Sequence, residues 1–125
     1  MGKKKIFIVD DSNTILLLFV SLVEDEPFEI KSFSSGKSAL AAINEGIIPN
    51  LVVTDLNMPN MSGYEFINEL RKIKKISNIP ILLSSAENNI SAVELKNNKV
   101  TGILPKPFTI ASIRQCFKRV LRVYE

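Results

Sequence analysis

Six side chains in this sequence could do chemistry together if the fold gathers them: Asp10 and Asp11, Asp55, Ser84 and Ser85, and Lys106. Each group stands at the end of a short apolar or strand-like run: Ile6–Val9, Leu51–Val53, Ile81–Leu83 and Gly102–Pro105. Three carboxylates crowded at one place repel one another and raise at least one pKa, unless a cation holds them ionised. A hard divalent ion is the natural partner, since Mg²⁺ takes one or two carboxylates plus phosphate oxygens and keeps some water. Lys106 offers a compact ammonium to a phosphoryl oxygen or, without ligand, to a carboxylate. Singly, each group has a plainer explanation. Asp10 or Asp11 can cap a helix, Asp55 can be a turn residue before Asn57-Met58-Pro59, Lys106 a solvated loop lysine, and Ser84-Ser85 a strand end. Their placement on consecutive strand ends is what points to a site.

The elements that must position them alternate between strand and helix type. The three runs Ile6–Val9, Leu51–Val53 and Ile81–Leu83 are continuously apolar, as parallel strands buried on both faces are. Phe28-Glu29-Ile30-Lys31 alternates apolar with charged, and Gly102-Ile103-Leu104-Pro105 contains a proline that a central strand rejects, so both belong at sheet edges. Between them, Ser35 caps a helix that Gly46 ends, and Ser62 with Glu65 forms a capping box. A weaker helix spans about Ile90 to Lys96, and Thr109 precedes the stripe Ile110, Ile113, Phe117, Val120, Leu121, Tyr124. The expected fold is α/β: a (βα)5 doubly wound, five-stranded parallel sheet of flavodoxin-like order 2-1-3-4-5. Ligands bind such a sheet at the carboxyl ends of its strands, where the chain reverses direction.

Composition narrows the function classes. The 125 residues, 46% hydrophobic and 23% charged, fit one domain over 1–125 with no room for an effector domain. The single cysteine, Cys116, excludes an internal disulfide and suits a reducing cytoplasm. No apolar run reaches the ~18 residues of a membrane span, and Met1–Lys5 leads straight into a strand rather than a signal-peptide core. A net charge of +3, with basic groups at Lys3–Lys5, Arg71–Lys75 and Arg114–Arg122 and no interleaved aromatics, argues against nucleic acid.

Four segments taken together, Ile8-Val9-Asp10-Asp11-Ser12, Val53-Thr54-Asp55-Leu56-Asn57-Met58-Pro59 with Gly63, Leu83-Ser84-Ser85-Ala86-Glu87 and Lys106-Pro107-Phe108, resemble the response-regulator receiver family from Lys5 to about Arg122. The resemblance implies a stand-alone, chemotaxis-regulator-like phosphoacceptor of a two-component system. In it Asp55 accepts a phosphoryl group from phosphohistidine, and the chain catalyses only its own phosphorylation and slow dephosphorylation. Asp11 and Asp55 would ligate Mg²⁺ (or Mn²⁺ in its place), with the Asn57 backbone carbonyl as a further ligand and Asp10 acting through water. Lys106 would pair with one phosphoryl oxygen and Ser85 with another. Ser85 is preferred to Ser84 because it precedes Ala86, and strand neighbours face opposite sides, so both cannot serve. The Lys106-Pro107 bond is expected to be cis, and Asn57 and Glu87 to tune hydrolysis.

Two departures from the family lie on its usual output surface. Ile103 stands where a Tyr or Phe is common, and Lys99 where a glycine is frequent, with Asn97 or Asn98 expected to supply the left-handed cap. In the first helix, Ile15, Leu18, Phe19 and Leu22 are expected to form the core face. Leu16, Leu17 and Val20 would then form an exposed patch that docks a histidine kinase or phosphotransfer protein. A phosphorelay intermediate, or a receiver excised from a multidomain regulator or hybrid kinase, fits the same residues. Rival classes fit less well. A haloacid-dehalogenase phosphatase needs D-x-D and a cap, a nucleotide site needs a Gly-rich loop that is missing here, and a degenerate receiver would lack an acid or the lysine.

Overall fold

In the computed structural model, which describes residues 3–87 and 90–121, strands and helices alternate throughout. They are β1 (Lys4–Val9), α1 (Asn13–Val23), β2 (Phe28–Phe33), α2 (Gly36–Asn44), β3 (Leu51–Asp55), α3 (Gly63–Arg71), β4 (Ile81–Ser85), α4 (Ala92–Asn97), β5 (Gly102–Pro105) and α5 (Ile110–Leu121). A short 3-10 turn at Lys74–Ile76 precedes β4. Tyr124 of the α5 stripe and Arg122 of its basic group lie outside the described residues. The sheet is parallel with order β2-β1-β3-β4-β5, as the edge signatures predict. β3 and β4 are buried at every position, whereas β2 and β5 are mixed. No helix among the described residues is long and apolar enough to cross a membrane.

Side chains alternate across the sheet and build two cores. Ile6, Ile8, Val53, Leu82 and Leu104 face α1 and α5, where Phe19 meets Phe108 edge-on at 5.5 Å and lies 6.2 Å from Phe117. Phe7, Val9, Val52, Ile81 and Leu83 face α2 and α3. Helix ends follow the local chemistry. Ser12, Ser35 and Ser91 accept backbone N–H groups as caps, and Ser62 and Glu65 form the reciprocal capping box. Thr109 and Ser112 each accept the other's backbone N–H at the start of α5. Gly46 ends α2 with a φ of 102°.

Two expectations are corrected. In α1 the buried residues are Leu16, Phe19 and Val23, with Ile15 and Leu22 half-buried; Leu18 is 40% exposed. Leu16 therefore leaves the exposed patch, which consists of Leu17 (72%), Leu18 and Val20 (38%). Unbroken apolar sequence from Ile15 to Val20 does not reveal the phase of the helix. The phase is set by the Ser12 cap and by docking Phe19 between Phe108 and Phe117. At the end of α4, Lys99 itself takes the left-handed conformation (φ 57°), rather than Asn97 or Asn98. Bonds from Lys99 N–H to the Lys96 carbonyl and from Val100 N–H to the Leu95 carbonyl close a Schellman motif. Arg71 holds the Lys99 carbonyl at 2.7 Å while also donating to the carbonyls of Ser77 and Ile79. These bonds offset the cost of a lysine in that conformation.

Candidate functional site

Register brings the strand ends to one rim: Val9 lies beside Thr54, Asp55 beside Ser84, and Ser85 beside Pro105. The first residues beyond β1 and β5 therefore arrive beside Asp55, the last residue of β3. Asp10 is buried, and its Oδ1 accepts the Ser12 N–H at 2.9 Å. The cap of α1 is Ser12 rather than either aspartate; Asp10 holds the Ser12 N–H and turns its other oxygen into the site. Asp55 is buried, with Oδ1 accepting the Leu56 N–H at 3.0 Å; Asp11 is exposed. One carboxylate oxygen from each of Asp10, Asp11 and Asp55 lies within 4.8 Å of the others.

Lys106 reaches across from β5. Its Nζ donates to Asp10 Oδ2 at 2.9 Å and to Asp55 Oδ1 at 3.2 Å. The Lys106-Pro107 bond is cis, as expected. Burial, then the negative charge of Asp10, raise the Asp55 pKa above its ordinary value, and Lys106 offsets this only in part. Burial works to lower the Lys106 pKa, but its bond to Asp10 and the two carboxylate charges outweigh burial and raise it. With all groups ionised, three carboxylates and one ammonium sum to −3 + 1 = −2. A divalent cation brings that sum to zero. The donor set is all oxygen, and the strain shows in Asp55, so the residues fit a hard divalent ion.

The remaining expected residues line the rim. Ser85 is buried and its Oγ accepts the Glu87 N–H at 3.0 Å. Asn57 is exposed, and its side-chain amide donates to Glu87 Oε1 at 3.0 Å, bridging the loops after β3 and β4. Gly63 starts α3 hard against the end of β3. Its N–H donates to the Leu56 carbonyl at 2.8 Å, and a Cβ there would overlap the Asp55 carbonyl oxygen and come within 2.9 Å of Leu56 Cα. Sequence reasoning missed the Arg71 brace and the contact between the Tyr64 hydroxyl and Glu94 Oε2 at 3.5 Å, which ties α3 to α4. No local pattern marks the Arg71–Lys99 bond or the Tyr64–Glu94 contact, whose partners lie 28 and 30 residues apart.

Comparison with known proteins finds relatives across nearly the whole chain. A family model described as the response regulator receiver domain matches residues 6–118. The chain is 30% identical over 118 residues to the chemotaxis protein CheY-3 of Vibrio cholerae, covering 93% of this chain and 90% of that protein. It is 32% identical over 119 residues to the transcriptional regulatory protein CpxR homolog of Haemophilus influenzae, covering 94% and 50% respectively. The solved structure of the chemotaxis response regulator CheY4 of V. cholerae superposes with a TM-score of 0.88 at 30% identity, covering 96% of this chain and all of that one.

Proposed function

Because the chain belongs to the response-regulator receiver family of two-component signalling systems, we propose that it accepts a phosphoryl group on Asp55. A carboxylate oxygen of Asp55 attacks the phosphorus of a phosphohistidine. The P–O bond forms as the P–N bond breaks, and the histidine nitrogen keeps the electron pair. Negative charge spread over the equatorial oxygens meets the Lys106 ammonium, while the Ser85 hydroxyl donates to another oxygen. Hydrolysis by water later returns the Asp55 carboxylate and releases inorganic phosphate. Asn57 and Glu87, joined by their hydrogen bond at the rim, would tune the rate of that hydrolysis.

Asp11, Asp55 and the Asn57 backbone carbonyl would hold Mg²⁺, with Asp10 acting through water. When bound, the ion neutralises the acceptor and the transferring group. The observation that carries this reading is Lys106 Nζ shared between Asp10 and Asp55, with the Asp11 carboxylate gathered beside them.

The donor would be a histidine kinase or phosphotransfer protein, docking on Leu17, Leu18 and Val20 of α1. The expected compartment is the cytoplasm, where the Cys116 thiol stays reduced. With Ile103 half-buried and carrying no ring, the switch reaches the outside through backbone shifts or by another face. The test is incubation with acetyl phosphate and Mg²⁺, followed by intact mass. One acid-stable, base-labile phosphoryl adduct is expected, absent in Asp55→Asn. Turnover without an adduct would indicate a phosphatase, and no reaction a degenerate module.

A further inference from the structure

Ser84 is wholly buried, yet its Oγ has no hydrogen-bond partner; among the described residues only Arg71 Nε shares that condition. A buried hydroxyl without a partner in one state of a protein calls for an explanation in another. Its position supplies one. Ser84 lies between Asp55 on β3 and Leu104 on β5 in the sheet register. Alternation from Leu82 puts it on the α1/α5 face, the face of Val53 and Leu104. Lys106, just beyond β5, donates its backbone N–H to the Ser85 carbonyl and its Nζ to Asp55 and Asp10, so its side chain passes over the end of β4 that carries Ser84 and Ser85. The Lys106 ammonium has three donors and spends two on these carboxylates. Ser85, the neighbouring hydroxyl, already accepts the Glu87 N–H.

We propose that Ser84 is a positioning residue for Lys106. Rotated about χ1, its hydroxyl accepts the third N–H of the ammonium and donates to the Asp55 carboxylate, steadying the lysine over the acceptor as a phosphoryl group arrives. The inference rests on Asp55 being that acceptor. A hydroxyl serves this bridge because it donates and accepts at once, which neither alanine nor valine can do.

The test measures labelling rate with acetyl phosphate and Mg²⁺, alongside urea unfolding, for wild type, Ser84→Ala, Ser84→Thr and Ser84→Val. Threonine and valine add the same bulk and differ in the hydroxyl. Labelling slows about tenfold in the alanine and valine variants and stays within about twofold in threonine, as loss of one hydrogen bond to a charged group predicts. The alanine variant unfolds at no lower urea than wild type, since it loses no resting contact. In a Lys106→Met background, Ser84→Ala adds no further slowing. Alanine labelling within about twofold of wild type, threonine as slow as valine, or additive slowing without the lysine would each overturn the inference; if the bulkier variants fail to fold, alanine alone decides. Wild type that takes no label would overturn the acceptor reading itself, whereas normal labelling in both wild type and Ser84→Ala overturns only the role of Ser84.

Discussion

Replacing Lys106 by methionine keeps most of the side chain and removes the ammonium that two buried acids share. Its Nζ lies 2.9 Å from Asp10 and 3.2 Å from Asp55. At an effective dielectric of about 20, each contact is worth roughly 5–6 kcal/mol before desolvation is subtracted. Breaking a buried pair by removing one partner typically costs about 3–5 kcal/mol. Lys106 keeps 18% of its side chain exposed, so the lower end applies and the loss should be about 3 kcal/mol near pH 7. The sign of the pH dependence follows from Asp55, whose pKa is raised from 3.8 by burial and by Asp10. The folded chain holds that proton more tightly than the unfolded one, so stability is present below 3.8 and is lost as pH rises through the raised value. The variant loses more on that rise, having no ammonium to oppose Asp10, and the gap between the two proteins should close as pH falls toward the ordinary carboxylate range. Mg²⁺ should also narrow it. With no lysine competing for the carboxylates, about tenfold tighter binding returns about 1.4 kcal/mol more to the variant than to wild type. Urea unfolding with and without Mg²⁺, at two pH values, reads all three effects. A gap below about 1 kcal/mol, or one that neither pH nor Mg²⁺ moves, would refute the electrostatic reasoning.

Four further outcomes follow. At limiting Mg²⁺ the labelling rate should fall as pH drops, with a midpoint above 3.8 that moves down when Mg²⁺ is in excess; a midpoint at or below 3.8 throughout contradicts the raised Asp55 pKa. Gly63→Ala should cost about 2–3 kcal/mol in urea unfolding, because the added carbon meets backbone that cannot turn aside; wild-type stability would show that α3 can shift freely. Leu17→Glu should slow transfer from the cognate kinase while leaving acetyl phosphate labelling unchanged, and loss of both or of neither rejects docking on α1. Arg71→Met removes three hydrogen bonds to carbonyls, worth about 3 kcal/mol together. It should speed amide exchange at Val100 well before that of Ile6–Val9, and uniform exchange would mean that Arg71 does not hold the end of α4.

The parts of the fold legible in the sequence were those whose chemistry is local. Apolar runs separate buried β3 and β4 from mixed β2, and Pro105 marks β5 as an edge. Ser35, Gly46, Ser62 and Glu65 mark their own helix ends. The meeting of Asp10, Asp11, Asp55 and Lys106 was legible because strand ends in a parallel sheet share one rim. What escaped depended on partners far along the chain. The phase of α1 depends on Phe108 and Phe117, and Leu16 looks like its neighbours until those rings are in place. Lys99, rather than the expected Asn97 or Asn98, takes the left-handed position, and the Arg71 that holds its carbonyl lies on α3. The unpartnered hydroxyl of Ser84 depends on how closely β3 and β5 enclose β4.

The central claim is tested most directly by locating the phosphoryl group. Protein labelled with acetyl phosphate and Mg²⁺ is reduced with borohydride, which converts an acyl phosphate to the alcohol, and the peptides are sequenced by mass spectrometry. Homoserine in place of Asp55, with Asp10 and Asp11 intact and no conversion when Mg²⁺ is chelated, is the predicted result. Homoserine at Asp10 or Asp11, or conversion indifferent to Mg²⁺, would contradict it.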